Sequence, residues 1–548
     1  MSFQAKIRRS IVRAVDDKEF LPNDAIETLT SPEEVRPYLE GNRQRLQGVA
    51  VGSLVAYVTN PTSPAKRLFL TLVFCGCLDY LVLLRQAGFY DIDLPIEKEY
   101  DDTNYRYDVY TKNTRQSQES RRKLWKVFHQ WADSSQVESF YSKQWCFMAP
   151  IFVSNVFDYQ LSPNCPLPII YKSSASQKTG LSGVVLSVKI HEAHIREEYR
   201  GKRVASKVMH PDNEDYYAQE ARALRIICDL GHPRLIEPLA AYTRGEQAGF
   251  FFPWAGGGNL EEYWQKHAPP VGGAGIRWVL DQLYGLCDAT EALHQENCRH
   301  TDLKPQNILL FHEGKSPGTL RIADVGLAKI HTDQTEQRQT LDIITSARTG
   351  STRYQAPELQ PPVEQLSRVF DVWCLGCVFL EFLVWTVYGQ GGLASFWQNS
   401  THFWEGTREN YRQHRKVKEQ ISMMWTTLSS RGTKNALLDC LELVAKRMLE
   451  PDYRYRMDAT ETRLELQRIR DRGSRDNSYL AVPPELEVAH TRSPGIDSMN
   501  TEQLEVFWAS MREQEVVSKS RGISNAQIAN VHSLCVLDFL WQDRISIN

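Results

Sequence analysis

The pattern of hydrophobic and polar positions differs between successive parts of the chain. Long apolar runs and helix-length patterns dominate up to about residue 165, so this part is predicted to be mainly helical. Short runs rich in β-branched and aromatic residues follow, separated by polar turns, at residues 168–171, 183–190, 204–209, 235–243 and 249–254. Such runs are typical of the strands of a small antiparallel sheet.

Helical patterns return after these strands. One helix is predicted at residues 216–230, and the strongest later patterns cover 277–294, 371–385 and 433–449. A sheet-rich part followed by a helix-rich part predicts an α+β unit with two lobes. We place this domain at residues 166–472, divided into an N-lobe (166–255) and a C-lobe (256–472), between an accessory region (1–165) and a tail (473–548) with a linker and a short helix.

Composition narrows the class of protein. Of the 548 residues, 42% are hydrophobic and 24% are charged, which excludes a disordered polymer. Lysine and arginine (64) nearly balance aspartate and glutamate (67), which argues against a dedicated nucleic-acid binder. Eleven scattered cysteines and an N-terminus without a secretory pattern favour a cytoplasmic protein, with a nuclear one not excluded. The apolar run 68–84 is short for a bilayer and contains Asp79, so a buried core helix is expected and no membrane span.

Candidate chemistry concentrates in three segments of the predicted C-lobe. Residues 299–307 read RHTDLKPQN, residues 322–328 read IADVGLA, and residues 349–358 read TGSTRYQAPE. Lys207 ends the strand-like run VASK upstream, and DVWCLG at 371–376 lies downstream. In this order the segments resemble the catalytic loop, the metal-binding turn and the closing tripeptide of the eukaryotic protein kinase family. The resemblance covers residues 166–472 and implies a two-lobed protein-kinase-like fold.

That resemblance implies a catalytic set of Asp302, Lys304, Lys207 and Glu220. Asp302 would accept the proton of the substrate hydroxyl, and Lys304 would stabilise the transferring phosphoryl group. Lys207 would reach the phosphates of ATP, with the Glu220 carboxylate holding its ammonium group in place. The implied reaction is transfer of the γ-phosphate of ATP to protein hydroxyls, and Lys304 suggests Ser/Thr substrates.

The cofactors implied are ATP and Mg²⁺. Magnesium prefers hard oxygen ligands, and the implied metal ligands are Asn307 and Asp324. The adenine would lie between apolar side chains and meet the backbone of a hinge that follows Phe252. The implied nucleotide-binding residues are Gly180, Gly183, Val185, Ala205, Lys207, Pro253, Ala255 and Leu309.

Some positions depart from the family pattern. Lys178 stands at the first glycine of the phosphate-covering loop, Val325 replaces the usual phenylalanine, and Thr301 replaces the arginine before the catalytic aspartate, as in non-RD kinases. These departures keep open a second function, a pseudokinase scaffold that binds nucleotide or partners without turnover. A small-molecule phosphotransferase fits less well. The whole chain also resembles kinase-domain proteins of filamentous fungi, through the segment QWCFMAP at 144–150.

Several residues are given structural roles. A single aspartate or lysine is usually a solvated surface charge, and only the joint spacing favours catalysis. His300 and Asp371 are expected to support the catalytic loop, and Glu358 to pair with Arg456. Asn259 and Gln306 stand where arginine-directed relatives carry acids, which argues against a preference for basic substrates. Partner surfaces are possible on the N-terminal region or on the tail, which contains LCVLDFLW at 534–541.

Overall fold

In the computed structural model, the described residues are 2–111, 123–173, 178–179, 183–210, 214–312, 314, 317–324, 329–330, 352–360, 367–399, 402–407, 410–429 and 434–481. The chain divides into two compact units. The first consists of Met1–Tyr217 and Pro238–Trp254, and the second of Ala218–Glu237 and Ala255–Asn548. Each unit combines helices with strands, which agrees with the predicted α+β class.

The N-terminal part of the first unit is mainly helical, as predicted. Its helices are α1 (Phe3–Ser10), α2 (Asn23–Leu29), α3 (Pro32–Gly41), α4 (Val51–Val58), α5 (Lys66–Phe74), α6 (Leu81–Gln86) and α7 (Ser134–Gln144). Side-chain caps begin two of them, because the Ser2 hydroxyl accepts from the Ala5 amide and the Asp133 carboxylate from the Ser135 amide. The region also contains strands that the pattern did not predict, namely the hairpin β1 (Val12–Arg13) and β2 (Glu19–Phe20), and a sheet of β3 (Ile96–Asp101), β4 (Arg106–Thr111) and β5 (Lys123–Leu124).

The apolar run 68–84 is buried, but the prediction of one continuous core helix is wrong. It contains most of α5, the start of α6 and a break between them. Gly76 lies in this break at φ +76°, a left-handed conformation that favours glycine and ends the first helix. Asp79 pairs with Arg45 at 2.5 Å, which explains how an acid is accommodated in the run.

The sheet of the first unit begins before the predicted boundary at residue 166. Its strands are β6 (Asp158–Leu161), β7 (Ile169–Lys172), β8 (Lys178–Thr179), β9 (Gly183–Ile190), β10 (Val204–Met209), β11 (Ala240–Arg244) and β12 (Gln247–Pro253). The spatial order is β6-β11-β12-β10-β9-β7, with β8 also paired to β9. Only β6 pairs in parallel, with β11. The predicted strands 183–190 and 204–209 are found with the same bounds, whereas 235–243 is a strand only from residue 240.

The second unit is mostly helical. Its helices are α8 (Glu214–Leu230, whose first residues belong to the first unit), α9 (Leu260–Lys266), α10 (Gly272–Gln295), α11 (Val369–Asn399), α12 (Arg415–Ser429), α13 (Ala436–Leu443) and α14 (Ala459–Arg475). Short paired strands complete it: β13 (Cys298–Arg299) with β16 (Lys329–Ile330), β14 (Ile308–Phe311) with β15 (Thr319–Ile322), and β17 (Trp404–Glu405) with β18 (Arg412–Gln413).

Helix α11 lies in the core of this unit. By length and composition it could cross a membrane, but 94% of its most apolar window is buried within the protein. It consists of two helices that join at Gly389, where φ is 68° and ψ is −165°. Two buried acidic residues, Asp371 and Glu381, stand out in a mainly apolar sequence, and both bind other parts of the unit.

Candidate active site

Residues 300–307 connect β13 to β14 and bring three of the predicted side chains together. The Lys304 Nζ lies 2.7 Å from Asp302 Oδ2. The Asn307 Nδ2 donates to the same oxygen at 3.0 Å and to the Asp302 carbonyl at 2.8 Å. A one-turn 3₁₀ helix, Pro305–Asn307, folds Asn307 back towards Asp302. These contacts therefore hold Asp302 Oδ2 in place and keep the Lys304 ammonium group beside it.

Asp371 of α11 holds the beginning of this loop. Its carboxylate accepts hydrogen bonds from the backbone amides of His300 and Thr301, both at 2.9 Å, and from His294 Nε2 at 2.9 Å. Burial is the largest single influence and disfavours the charged form, but the hydrogen bond and charge of His294 act together with His300 and its backbone amide against it, so the pKa of Asp371 is lowered. The predicted supporting role of Asp371 is confirmed.

Thr301 has an unusual backbone conformation. Its φ is +64°, a region that β-branched residues rarely occupy, and the residue is buried. The hydrogen bond from its amide to Asp371 stabilises this conformation from outside the loop. The unusual backbone conformation at Thr301 thus sets the direction in which the chain enters Asp302.

His300 connects the catalytic loop to the segment that carries Asp324. Its Nε2 donates to the Ala323 carbonyl at 2.9 Å, and its Nδ1 lies 3.3 Å from the Asp302 amide, which donates to it. The Ala323 amide in turn donates to the Asn307 carbonyl at 2.8 Å. His300 is completely buried, so its predicted structural role is confirmed.

Asn307 and Asp324 are therefore close in the fold, as a shared metal site requires. The Asn307 amide nitrogen is bound to Asp302, so the side-chain oxygen Oδ1 is the atom with which Asn307 would bind a metal ion. Asp324 is exposed at φ +59° and supplies a carboxylate. This pair of hard oxygen donors fits Mg²⁺. Within the described ranges, no group of three or more His, Cys, Asp or Glu residues could hold a metal ion.

The first unit brings Val185, Ala205 and Lys207 together. In the antiparallel ladders, Lys207 is the partner of Val185 on β9, and Ala205 is the partner of Phe252 on β12. Side chains two residues apart on a strand, and directly opposed residues, point to the same face of a sheet. These three residues therefore share one face, where the Lys207 side chain is buried. Pro253 ends β12 opposite Val204.

The glycine at position 183 has a structural role that the sequence did not reveal. A Cβ at this position would lie 2.2 Å from the Val208 carbonyl oxygen of the neighbouring strand. The glycine is thus required by strand packing, whatever it does for phosphate. Gly180 and Val325 lie outside the described residues, as do the side chain of Lys178 and its surroundings.

The remaining predicted site residues belong to the second unit. Glu220 is almost completely buried on α8. Ala255 begins a glycine turn in which its carbonyl accepts from the Gly258 amide at 3.2 Å, and the Gly257 amide donates to the Leu310 carbonyl at 3.0 Å. This turn therefore contacts β14, the strand that carries Leu309.

Glu381 is a supporting residue that sequence reasoning missed. This buried carboxylate of α11 accepts from Arg353 Nε (3.0 Å), the Tyr354 hydroxyl (3.0 Å) and Trp397 Nε1 (2.9 Å). Burial raises its pKa, and Arg353 acts against the shift. Because Arg353 and Tyr354 precede the Ala-Pro-Glu tripeptide, Glu381 fixes that segment to the core helix. The sequence signal that could have identified Glu381 is a single acidic residue within an apolar run.

The predicted Glu358–Arg456 ion pair is confirmed. Arg456 donates from Nη1 at 2.6 Å and from Nη2 at 3.0 Å to the two carboxylate oxygens. Its guanidinium also lies 5.0 Å from the Trp373 ring centroid. Asp452, four residues before Arg456, pairs with Arg454 at 2.6 Å.

Comparison with known proteins agrees with this geometry. The family model described as "Protein kinase domain" matches residues 179–464, more than half of the chain. Cyclin-dependent kinase 8 of Drosophila melanogaster is 34% identical over 105 residues, which cover 19% of this chain and 22% of the relative. Cyclin-dependent kinase-like 4 of Homo sapiens is 28% identical over 221 residues, which cover 39% of this chain and 51% of the relative. The matches thus span about half or less of these relatives.

Proposed function

Because the chain belongs to the protein kinase family, we propose that it is an active Ser/Thr kinase that transfers the γ-phosphate of MgATP to hydroxyl groups of protein substrates. The observation that carries the proposal is the hydrogen-bonded set of Asp302, Lys304 and Asn307. All three polar groups that the chemistry needs in the catalytic loop are present and in contact.

The arrangement supports a specific division of labour. Both side-chain contacts fall on Asp302 Oδ2, so Oδ1 is the oxygen that orients the substrate hydroxyl and takes its proton. Lys304 supplies a positive charge beside the attacking oxygen, where charge develops on the phosphoryl group. Mg²⁺, held by Asn307 Oδ1 and Asp324, would neutralise phosphate charge. Lys207 would bind the phosphates of ATP.

Phosphate incorporation from labelled MgATP tests the proposal. The native chain is compared with Asp302→Asn and Lys207→Met, and with Asp471→Asn as a control aspartate on α14. We expect incorporation into the chain or into a generic Ser/Thr substrate to fall at least about 100-fold in the first two variants. The control variant should retain native activity. Equal incorporation in all four proteins would refute the proposal.

A pseudokinase scaffold is the second candidate, favoured by Lys178 at a glycine position and by Thr301 in place of arginine. In that case MgATP or ATP would raise the melting temperature of the native chain and leave that of Lys207→Met unchanged. No phosphate would be incorporated by any variant.

A further inference from the structure

A pocket of about 310 Å³ lies beside the segment that precedes and includes the Ala-Pro-Glu tripeptide. One wall comes from this segment and the opposite wall from the β17–β18 hairpin region. The side chains that line it are Thr352, Gln355, Gln360, His402, Trp404 and Glu405.

Hydrogen bonds connect this pocket to the catalytic loop through α11. Trp404 Nε1 donates to the Gln355 carbonyl at 2.9 Å, which fixes the hairpin to the segment. The preceding residue, Tyr354, accepts at its carbonyl from Cys374 Sγ at 3.3 Å. Cys374 lies three residues after Asp371, about 5 Å along the helix. Neighbouring turns of one helix therefore hold the pocket wall and the loop that carries Asp302, so we expect a protein that presents a hydroxyl to Asp302 to pass near this pocket.

The chemistry of the lining favours a cation. It contains two side-chain amides, a hydroxyl, an imidazole, an indole and one carboxylate, and within the described residues it contains no lysine or arginine. Arg412 Nε contacts Glu405 Oε1 at 3.0 Å. His414 Nε2 is 3.9 Å from Oε2, beyond hydrogen-bonding distance. Oε2 can therefore accept hydrogen bonds from a second cation.

Arginine fits this pocket better than lysine does. Its planar guanidinium can stack on the indole of Trp404 and donate to Glu405 at the same time, and a further N–H group can reach the amide oxygen of Gln360. A lysine ammonium is a compact charge without a planar face. It therefore cannot stack on the indole and donate hydrogen bonds to separated acceptors at the same time.

We propose that the pocket binds an arginine side chain of the protein substrate and so creates a preference for arginine near the phosphorylated hydroxyl. The proposal rests on the proposed kinase function and names a determinant of its substrate class. It runs against the expectation drawn from Asn259 and Gln306, because Glu405 is an acid at a different place in the fold. Asn259 itself caps α9 by accepting from the Glu262 amide at 2.8 Å.

The test uses Ser/Thr peptides in which one position at a time carries Arg, Lys, Glu or Ala. Phosphorylation rates and peptide binding by fluorescence anisotropy are both measured, with the full chain. We expect at least one position at which Arg raises kcat/KM about fivefold over Ala, mainly through KM. Glu405→Gln should abolish this preference and Glu405→Lys should replace it with a preference for Glu. Activity on the all-Ala peptide should stay unchanged.

Two further variants separate recognition from folding. Arg412→Gln removes the internal competitor for Glu405 and should increase the preference for arginine, whereas simple loss of hairpin structure would decrease it. Glu442→Gln, which removes a similarly exposed partner of Lys446, should leave the preference as in the native chain.

The possible outcomes test the pocket proposal and the proposed kinase function separately. Phosphorylation without any arginine preference, or with a preference that survives Glu405→Gln, overturns the pocket proposal and leaves the kinase function intact. Glu405-dependent binding of the arginine peptide without phosphorylation supports the pocket and refutes the kinase function. Neither binding nor phosphorylation overturns both.

Discussion

Asn307 has two functions that depend on different atoms of one side chain. Its Nδ2 orients Asp302 through two hydrogen bonds, and its Oδ1 is the proposed magnesium ligand. Removing the side chain should therefore damage both proton acceptance and metal binding, although the loop itself remains tied to Asp371.

We predict that Asn307→Ala lowers kcat at least about 100-fold and raises the magnesium concentration needed for half-maximal activity. Phosphate incorporation at a series of magnesium concentrations measures both effects. Asn104→Ala, at an exposed turn of the first unit, is the control. An Asn307→Ala protein with native kcat and native magnesium dependence would contradict the assigned roles.

The Glu358–Arg456 pair illustrates a residue-scale effect on stability alone. Arg456 is fully buried in its side chain and Glu358 is nearly so, and the pair is bidentate. Arg456→Met should lower the free energy of unfolding by about 3 kcal/mol, because it leaves a buried carboxylate without its partner. Urea unfolding measures the change. In the double variant Glu358→Met/Arg456→Met the loss should be smaller, and an equal loss would show that the uncompensated charge is not the cause.

At the scale of elements, α11 organises the second unit. Asp371 near its start binds the catalytic loop, and Glu381, ten residues later, binds the segment before Ala-Pro-Glu. Both acids are buried in an apolar helix and both make hydrogen bonds that offset their loss of hydration. One rigid helix thus positions the proposed proton acceptor and the proposed substrate pocket together.

The break at Gly389 ends the straight part of this helix. Its φ and ψ values belong to a region that only glycine occupies at low cost. A Cβ there would meet Pro269 at an ordinary contact distance of 3.9 Å, so the cost of Gly389→Ala is conformational. We predict that Gly389→Ala lowers the free energy of unfolding by about 1–3 kcal/mol. Urea unfolding measures the change.

Gly273→Ala is the matched control for that prediction. Gly273 lies in the first turn of α10, where an added Cβ would be accommodated. Alanine there should stabilise the chain by up to about 1 kcal/mol, because it restricts the unfolded chain. Destabilisation of equal size in both variants would show that any added methyl group is harmful and that the Gly389 conformation is not special.

How far the sequence predicts the fold depends on the element. β9 and β10 are short runs rich in β-branched residues between polar segments, and their predicted bounds are the observed ones. The strands β3 and β4 were missed because IEKEYD and RYDVYT are mostly polar, and because only Ile96, Val109 and Thr111 are buried, too few to give a clear apolar alternation. The predicted strand 235–243 begins late, because Pro238 cannot donate a ladder hydrogen bond.

The contacts among the proposed catalytic residues were easier to predict than those of the residues that support them. Asp302, Lys304 and Asn307 are close in sequence, so one motif predicts their contact. Glu381 is 27 residues from Tyr354, and its role depends on tertiary packing that local spacing does not encode. The pocket at Glu405 also requires segments that the chain brings together only on folding.

At the scale of the first unit, the N-terminal region is packed onto the sheet and is not a separate body. The Val15 amide donates to the Ile169 carbonyl of β7 at 2.9 Å, and Asp16 pairs with Arg244 of β11 at 2.5 Å. The Asn23 amide donates to His194 Nε2 at 3.1 Å. The N-terminal 25 residues are therefore part of the folded unit that carries Lys207, and their removal should destabilise that unit.

His194 makes this packing dependent on pH. It is buried, its Nδ1 donates to the Pro150 carbonyl at 2.8 Å, and its Nε2 must stay unprotonated to accept from Asn23. Burial lowers its pKa from 6.5 to about 4, with a smaller effect of the same sign from His191. The unfolded chain therefore binds this proton more readily, and stability is complete above pH 6.5 and falls as the pH decreases towards 4.

We predict that the free energy of unfolding of the native chain decreases by about 2 kcal/mol more between pH 7 and pH 5 than that of His194→Gln. Glutamine cannot titrate, so the variant, although less stable at pH 7, should respond less to acid. Urea unfolding at the two pH values measures the difference, and His312→Gln, at an exposed position, should behave as the native chain does. Parallel pH responses of the native chain and His194→Gln would mean that other groups control acid sensitivity, and that protonation of His194 does not loosen the N-terminal region.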